Sequence, residues 1–564
     1  MKRDTLGLSV RTLFIACYLL LVGVPAEAQT NVHSFDGDKG PGLAACRANT
    51  THCGRQSETN VGASGNQVVQ ITWQNVAVYD KSGKLLRSTP LTTFIRNAGL
   101  DPMPPAAKKG ASRGPYEPHV VYDEFIGRWI IGVTGFADCL LVSASSDALG
   151  AWGGIYPSCL QGGPCLDNDP GTKLGYDKNG VYFCGAHIND DNPETAPHTA
   201  WDCFALPPAE VKAVAQGTPP AHLNRVHNIP LDVVPAVDGN PNKASNAPAF
   251  FLTKSCDHNG PLNACQKSDN FPFTWLVNTF TWNGPTGTYN ASGAQQTIKT
   301  DVGSKANKWV FNTPCCGPDL GAPQAGTDIR VRVGTMHRLM NVMQAGSHLH
   351  AVLGSGPCTT NCGSQGADTN NIMIYVDLDC SNPAACVVAQ TRKISGTDVN
   401  PAWGTVGVDT QGNVGIIAAS VTAKTYPSVL MWWRKKTDAP NMFSGPITVA
   451  AGTAPYTCMK DRTMDNGQNY FVLFGSSVGM LTARDPLDGT KLWTSQQYAN
   501  DARPCVYSTR IVQYQIAPAP AKPATPPKDA KVDSASPQRS GRGTEGHVAH
   551  PGHLTGSRRN SSAP

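Results

Sequence analysis

The sequence predicts an all-β protein, a β-propeller followed by a disordered tail, and three observations carry that reading. Glycine and proline are dense, 56 and 44 in 564 residues, while only 15% of residues are charged, so long solvent-facing helices have little material. Short β-branched and aromatic runs recur, broken by turns that pair an Asp or Asn with a Gly. The first three turns fall about 43 and about 54 residues apart, close to the length of a four-stranded blade.

Residues 1–28 read as a cleaved secretory signal: Lys2, Arg3 and Arg11 precede an apolar run from Leu13 to Val24, and Ala26-Glu27-Ala28 ends it. Cys17 inside that run raises lipidation as the lesser alternative. The mature chain is then secreted or periplasmic. No later segment reaches the roughly 18 apolar residues a membrane helix needs. Residues 29–65 form a polar N-terminal extension.

Strands start at Val68-Val69-Gln70-Ile71-Thr72-Trp73 and Val76-Ala77-Val78-Tyr79, and Asp80-Lys81-Ser82-Gly83-Lys84 turns the chain. The same design recurs from Val120 through Gly127 to Val133, from Leu174 through Asn179-Gly180 to Phe183, and from Val406 through Gly412 to Ile417. It appears last around Asp485 to Trp493. In each turn the Asp side chain can accept backbone N–H groups while Gly takes the positive φ. Residues 66–516 have room for about seven to nine blades at roughly 50 to 60 residues each, and a propeller of five to eight blades is expected, with about seven the modal count. Between Ala186 and Trp403 the repeat is irregular, and an inserted β-sandwich is the other option there. Residues 517–564 lack apolar side chains and form a disordered basic tail.

The formal charge of +5 does not point to nucleic acid. The tail carries seven Lys/Arg against three Asp/Glu, and the leader three against two, so the folded core is near neutral. The tail has an anionic envelope surface as one candidate contact and plain solvation as the other.

Seventeen cysteines remain after the leader, in a compartment where disulfides persist. Spacing suggests local pairs: Cys46 with Cys53, Cys159 with Cys165, Cys184 with Cys203, Cys256 with Cys265, Cys358 with Cys362 and Cys380 with Cys386, plus Cys458 with Cys505 across a longer loop. A vicinal bond between Cys315 and Cys316, in Thr313-Pro314-Cys315-Cys316-Gly317, leaves Cys139 as a buried free thiol. The vicinal pair reads as a rigid loop clip and, with Trp152, as a platform for an apolar or sugar ring.

Ser146-Asp147-Ala148-Leu149-Gly150-Ala151-Trp152 resembles the Asp-bearing turn of sialidase-like and five-bladed glycosidase propellers, with one extra residue between Asp and Gly. There the Asp ties the turn and the Trp packs between sheets. Together with Val121-Tyr122-Asp123 to Arg128-Trp129, and with Trp493-Thr494 to Thr509-Arg510-Ile511-Val512, the chain is similar to exported bacterial propellers of mostly unassigned activity. The resemblance implies the fold more than any chemistry.

Glycoside hydrolysis needs two carboxyl groups, and only five Glu lie in the mature core: Glu58, Glu117, Glu124, Glu194 and Glu210. Glu117-Pro118-His119, an acidic residue and Pro at the entry of a strand, resembles the position of the base in five-bladed glycosidases, which there is Asp, and Asp169 in Asp167-Asn168-Asp169-Pro170 opens the next in the same way. Capped loop carboxylates are the plainer account of both. Arg330, Arg332 and Arg338 lie too close in sequence to form a sialidase arginine triad. For metals, Asp167, Asp190 and Asp191 are candidate oxygen ligands for calcium, and His348 and His350, with His337 nearby, share one strand face. Asp488-Gly489-Thr490-Lys491-Leu492-Trp493 resembles the repeat of quinone-cofactor dehydrogenases but occurs once.

The preferred expectation is therefore a disulfide-rich exported propeller binding a glycan-like or envelope polymer. A hydrolase using Glu117 and Asp169 is the alternative, and a quinone-dependent dehydrogenase-like protein stands third.

Overall fold

In the computed structural model the described residues are 30–40, 57–102, 115–134, 138–157, 160, 172–187, 200–229, 233–254, 273–289, 296–300, 322–332, 339–355, 372–394, 396, 398–457, 471–473 and 481–516. All belong to the compact unit Met1–Pro518, which is separate from a second unit, Ala519–Pro564. The leader and tail lie outside the described residues. So do Cys46, Cys53, Cys159, Cys165, Cys256, Cys265, Cys315, Cys316, Cys358, Cys362 and Cys458, and also Asp167, Asp169, Asp190, Asp191, Glu194, His337 and Arg338.

The protein is mostly β, with strands that follow one another as antiparallel meanders. One sheet runs in sequence order through Asn60–Ala63, Gln67–Ile71, Asn75–Asp80 and Leu85–Pro90; the next through Tyr116–Asp123, Arg128–Thr134, Cys139–Ser143 and Trp152–Ile155. Lys173–Asp177, Gly180–His187, Ala200–Leu206 and Asn224–Ile229 make a third meander, and Leu339–Ala345, His348–Ser355, Ile372–Asp379 and Val387–Ile394 another. These two join edge to edge through the short parallel strand Val237–Asp238 into one nine-stranded sheet. Between them in sequence, Val234–Pro235, Ala249–Lys254, Phe273–Asn283 and Thr286–Tyr289 pair in order, with Gln296–Thr300 also on Phe273–Asn283. Pro401–Val408, Val414–Thr422, Thr425–Arg434 and Ser444–Ala450 form a further sheet. The irregular stretch between Ala186 and Trp403 thus carries the same kind of meander as the rest.

The last sheet is completed from the far end of the chain. Ala483–Arg484, Leu492–Tyr498 and Ser508–Gln515 pair in order, and Asn31–Lys39 adds to Ser508–Gln515 with Phe35 opposite Ile511. Strands therefore begin earlier than the polar-extension reading of residues 29–65 allowed. Polarity hid them: Asn31–Lys39 is an outer strand with only one side covered, and its apolar content is little more than Val32 and Phe35.

The first strands of the meanders neighbour one another in an order that returns on itself. Asn60–Ala63 lies beside Tyr116–Asp123, which lies beside Lys173–Asp177; Val234–Pro235, Leu339–Ala345, Pro401–Val408 and Ala483–Arg484 follow, and the last again touches Asn60–Ala63. Cores form where sheet faces meet. Val69, Ile71 and Val78 pack on Trp129, Ile131 and Leu141, while Ile130 and Val142 from the same strands pack the other way on Leu174, Phe183 and Phe204. Both faces are covered, which is why these strands read as continuous apolar runs rather than alternating ones. Two short helices, α1 (Leu91–Asn97) and α2 (Pro208–Ala215), dock onto these clusters through Phe94 and Ile95 and through Val211 and Val214.

The turns are tied by aspartates. Asp80 Oδ1 accepts the N–H groups of Ser82 and Lys84, and Asp409 Oδ1 those of Gln411 and Asn413. Asp123, Asp177 and Asp485 do the same at their own hairpins. Gly83 supplies φ +92 at the first turn, where a side chain would also strike Phe35.

Candidate functional site

The starts of the first strands meet in a buried polar arc. Asn60 donates from Nδ2 to Pro118 O at 2.9 Å and accepts the Leu481 N–H at 2.8 Å, clamping three sheets together. The hydroxyls of Thr134 and Thr172 bond to each other, and Lys173 Nζ reaches Leu339 O at 3.3 Å. Asn341 bonds both backbone groups of Val406, at 2.7 and 3.0 Å, and accepts the Thr405 hydroxyl, which also lies 2.9 Å from that of Thr482. Side chains here supply hydrogen bonds between neighbouring first strands where no ladder joins them.

Above this belt runs a second chain of bonds. Gln496 Nε2 donates to Trp403 O, the Gln497 N–H donates to Gln496 Oε1, and the Ser57 N–H donates to Gln497 Oε1. The Glu58 carboxylate then accepts the Glu117 N–H at 2.8 Å. Glu58, Glu117 and Trp403 all hold left-handed backbone, φ +46, +53 and +57, a conformation that costs a non-glycine residue about 1–2 kcal/mol. Glu117 and Trp403 each sit in a β-bulge, where register shifts between Tyr116 and His119 and between Ala402 and Thr405. Pro118 accounts for the first bulge, since it has no N–H to give the adjoining strand.

His119 follows that bulge and is 1% exposed, and among the described residues neither of its ring nitrogens has a hydrogen-bond partner. Burial, and then the charge of Lys173, hold its imidazole well below the usual histidine range, so it is neutral, with one N–H donor and one acceptor nitrogen.

At the opposite ends of the first strands lies a charged cluster. Tyr176 Oη donates to Glu124 at 2.6 Å, and Lys243 bridges Asp177 and Asp238 at 2.9 and 3.1 Å. Desolvation pushes Asp123 up to about 7, with Glu124 adding to the shift.

Of the residues singled out from sequence, only Glu117 is described at the arc. Trp152 lies on the outer strand of its sheet, its ring edge-on to Phe94 with centroids 4.9 Å apart and its N–H on Ala148 O. Asp147 accepts from Leu149 N and Gln67 Nε2. Cys184 is bonded to Cys203 and Cys380 to Cys386; Cys505 is also disulfide-bonded, and Cys139 is a buried free thiol. His348 and His350 do share one face, but each Nδ1 is engaged, with Asp377 at 2.7 Å and Tyr375 Oη at 2.8 Å. Burial pushes His350 down to about 4. Among the described residues no group of three His, Cys, Asp or Glu is placed to hold a metal ion.

Glu58, His119 and Lys173 were not picked out from sequence. The Glu-Pro-His order at a strand start is a local signal for the bulge, but the Glu58–Glu117 and Lys173–Leu339 contacts join residues 59 and 166 positions apart.

No protein-family profile matches the chain, and no curated protein is similar to it. Solved structures are similar at low identity. Hydrazine synthase of Kuenenia stuttgartiensis has 9% identity over 79% of this chain and 92% of its own, with a TM-score of 0.37. An ulvan lyase has 8% identity over 85% and 95%, also with a TM-score of 0.37. The Trypanosoma rangeli sialidase has 8% identity over 78% and 57%, with a TM-score of 0.32.

Proposed function

We propose that the sheets close into a seven-bladed β-propeller, exported to a secreted or periplasmic location, that binds a glycan-like or envelope polymer where its first strands begin. Support for closure comes from the order of the first strands, which returns from Ala483–Arg484 to Asn60–Ala63, and from the N-terminal strand that completes the last sheet. Bonded Cys184–Cys203 and Cys380–Cys386 fit an oxidising compartment.

The observation that carries the binding reading is the strained polar arc. Glu58, Glu117 and Trp403 keep left-handed backbone at one end of the ring, and strain of this kind collects where a ligand is gripped. In this reading Cys315 and Cys316 contribute a ligand platform and Asp167, Asp190 and Asp191 a calcium site, all five lying outside the described residues, while Trp152, on an outer strand against Phe94, is not part of the binding end.

A hydrolase needs a second carboxyl opposite Glu117, and Asp169 is its candidate. Glu58, the described carboxylate nearest in the bond network, is engaged with the Glu117 N–H, a holding role rather than an acid's. The test pairs calorimetric titration against a glycan panel with reducing-end assays on the wild type, Glu117→Gln and Asp169→Asn. Saturable binding without bond cleavage supports the binder; cleavage lost in both folded variants would replace it with the hydrolase.

A further inference from the structure

At the end of the first strands away from the polar arc, side chains from strands that are not neighbours meet at one glycine. Glu124 directly follows Tyr116–Asp123, Gly239 follows Val237–Asp238, and Arg484 ends Ala483–Arg484. A Cβ built on Gly239 would lie 2.6 Å from Arg484 Nη1 and 2.8 Å from Glu124 Oε1, so the two charged side chains fill the space a side chain there would need. Lys173–Asp177 stands between the strand of Glu124 and that of Gly239, and Leu339–Ala345 and Pro401–Val408 stand between those of Gly239 and Arg484. Side chains so separated meet by crossing the end of the ring. Gly239 is not among the glycines of positive φ, so space rather than backbone conformation calls for glycine.

Both side chains are also anchored outward. Tyr176 Oη donates to Glu124 Oε2 at 2.6 Å, and Arg484 Nε and Nη2 donate to Val408 O at 3.4 and 3.2 Å. Val237–Asp238 in turn pairs with Leu339–Ala345, Asp238 opposite Gln344. Every first strand except Asn60–Ala63 is thus joined through this bar. Glu124 and Arg484 are half-buried, so solvent reaches the bar.

We propose that Glu124 and Arg484 form a bolt across this end of the ring, held shut while Glu124 carries its proton and released when the proton leaves. With the bolt shut the middle of the ring is a blind well, entered where the first strands begin; released, it is open at both ends. The proposal rests on the closed ring proposed above.

The charges around the bolt set its sign. Glu124 faces Tyr122 and Asp123 of its own strand, Tyr176 and Asp238 of the next two, and Arg484; Lys243 bridges Asp177 and Asp238, and Arg484 also faces Asp409. Burial, with the like charge of Asp238, raises the Glu124 carboxyl above the usual range against the pull of Tyr176 and Arg484. A carboxyl raised in the shut state favours that state at low pH, and the advantage is lost as pH rises through the raised value. Asp123, Asp238 and Asp409 are raised by burial too, so their ionisation adds repulsion at the same end.

Hydrogen exchange of the full-length mature protein, corrected for intrinsic rates, reads the bolt in peptides covering 122–126, 236–241 and 482–486. Between about pH 5 and about pH 8 the wild type is expected to exchange there about tenfold or more faster, with the strands Arg128–Thr134 and Val414–Thr422 unchanged. Glu124→Gln, neutral at every pH, is expected to stay slow throughout, and Gly239→Ala, whose Cβ displaces the bar, to exchange fast throughout. A flat wild-type profile, or the wild-type slope kept in Glu124→Gln, overturns the proposal while leaving the closed ring. Folded Gly239→Ala that behaves as wild type overturns the crossing at Gly239; if that variant does not fold, the wild type and Glu124→Gln still decide. Free exchange of Asn31–Lys39 and Ser508–Gln515 at every pH overturns the closed ring and the bolt with it.

Discussion

The carboxylate of Glu58 accepts the backbone N–H of Glu117 at 2.8 Å, across 59 residues of sequence, and both residues hold left-handed backbone. This bond ties the approach to the first sheet to the bulge that opens the second. Removing a charged acceptor from a buried N–H costs about 1.5–3 kcal/mol. Glu58→Ala is therefore expected to lower stability by that amount in urea unfolding, and Glu58→Gln, which keeps an acceptor, by less than half of it. Equal losses would mean that the side chain's packing, not its bond, matters there.

The join between the chain's two ends makes a second prediction. Phe35 lies 5.4 Å from Tyr79 of the neighbouring sheet and 6.4 Å from Trp493 of its own, ring centre to ring centre, so one half-buried residue ties the N-terminal strand to both. Phe35→Ala is expected to cost about 2 kcal/mol, below the range for fully buried rings. Hydrogen exchange should quicken first in Asn31–Lys39 and Ser508–Gln515. Uniform loss of protection across all sheets would argue against that join as a local weak point.

Disulfide removal should rank by loop length. Cys184–Cys203 closes a separation of 19 and Cys380–Cys386 one of 6, so loop-closure entropy assigns about 3 and about 2 kcal/mol. Thermal scans of the two paired Cys→Ser variants should show the larger drop for the first pair.

Asp123 gives the protein a pH dependence of definite sign. Desolvation raises its carboxyl to about 7 in the folded chain, against about 4 unfolded, so the folded state holds the proton longer. Its contribution to stability is then fully present below about 4 and is lost as pH rises toward 7, by up to about 4 kcal/mol, and flat above that. Asp123→Asn keeps the acceptor oxygen for the N–H groups of Phe125 and Ile126. It should remove most of that slope and be the more stable protein at pH 8. An unchanged slope would assign the titration to Glu124, whose carboxyl is raised by the same burial.

The sequence carried the frame of this protein well where turns announce themselves. The Asp-Gly words at Asp80, Asp123, Asp177, Asp409 and Asp485 are local chemistry, legible because a single side chain caps its own hairpin. Asn31–Lys39 was hidden because an outer strand needs few apolar residues. The arc was hidden for a different reason. Asn60, Lys173, Asn341 and Gln497 are ordinary polar residues in sequence, and only the meeting of strand starts from distant segments buries them together. Glu117 was visible because Pro follows it, and His119, one residue further on, was not, since nothing local says that a strand-borne histidine will lack partners.

Co-sedimentation of the mature protein with insoluble neutral glycan puts the binding proposal to its plainest trial. Wild-type protein is expected in the pellet, with soluble fragments absent from the supernatant. Wild-type protein remaining in the supernatant with every glycan offered, or releasing soluble sugar from the pellet, would contradict it.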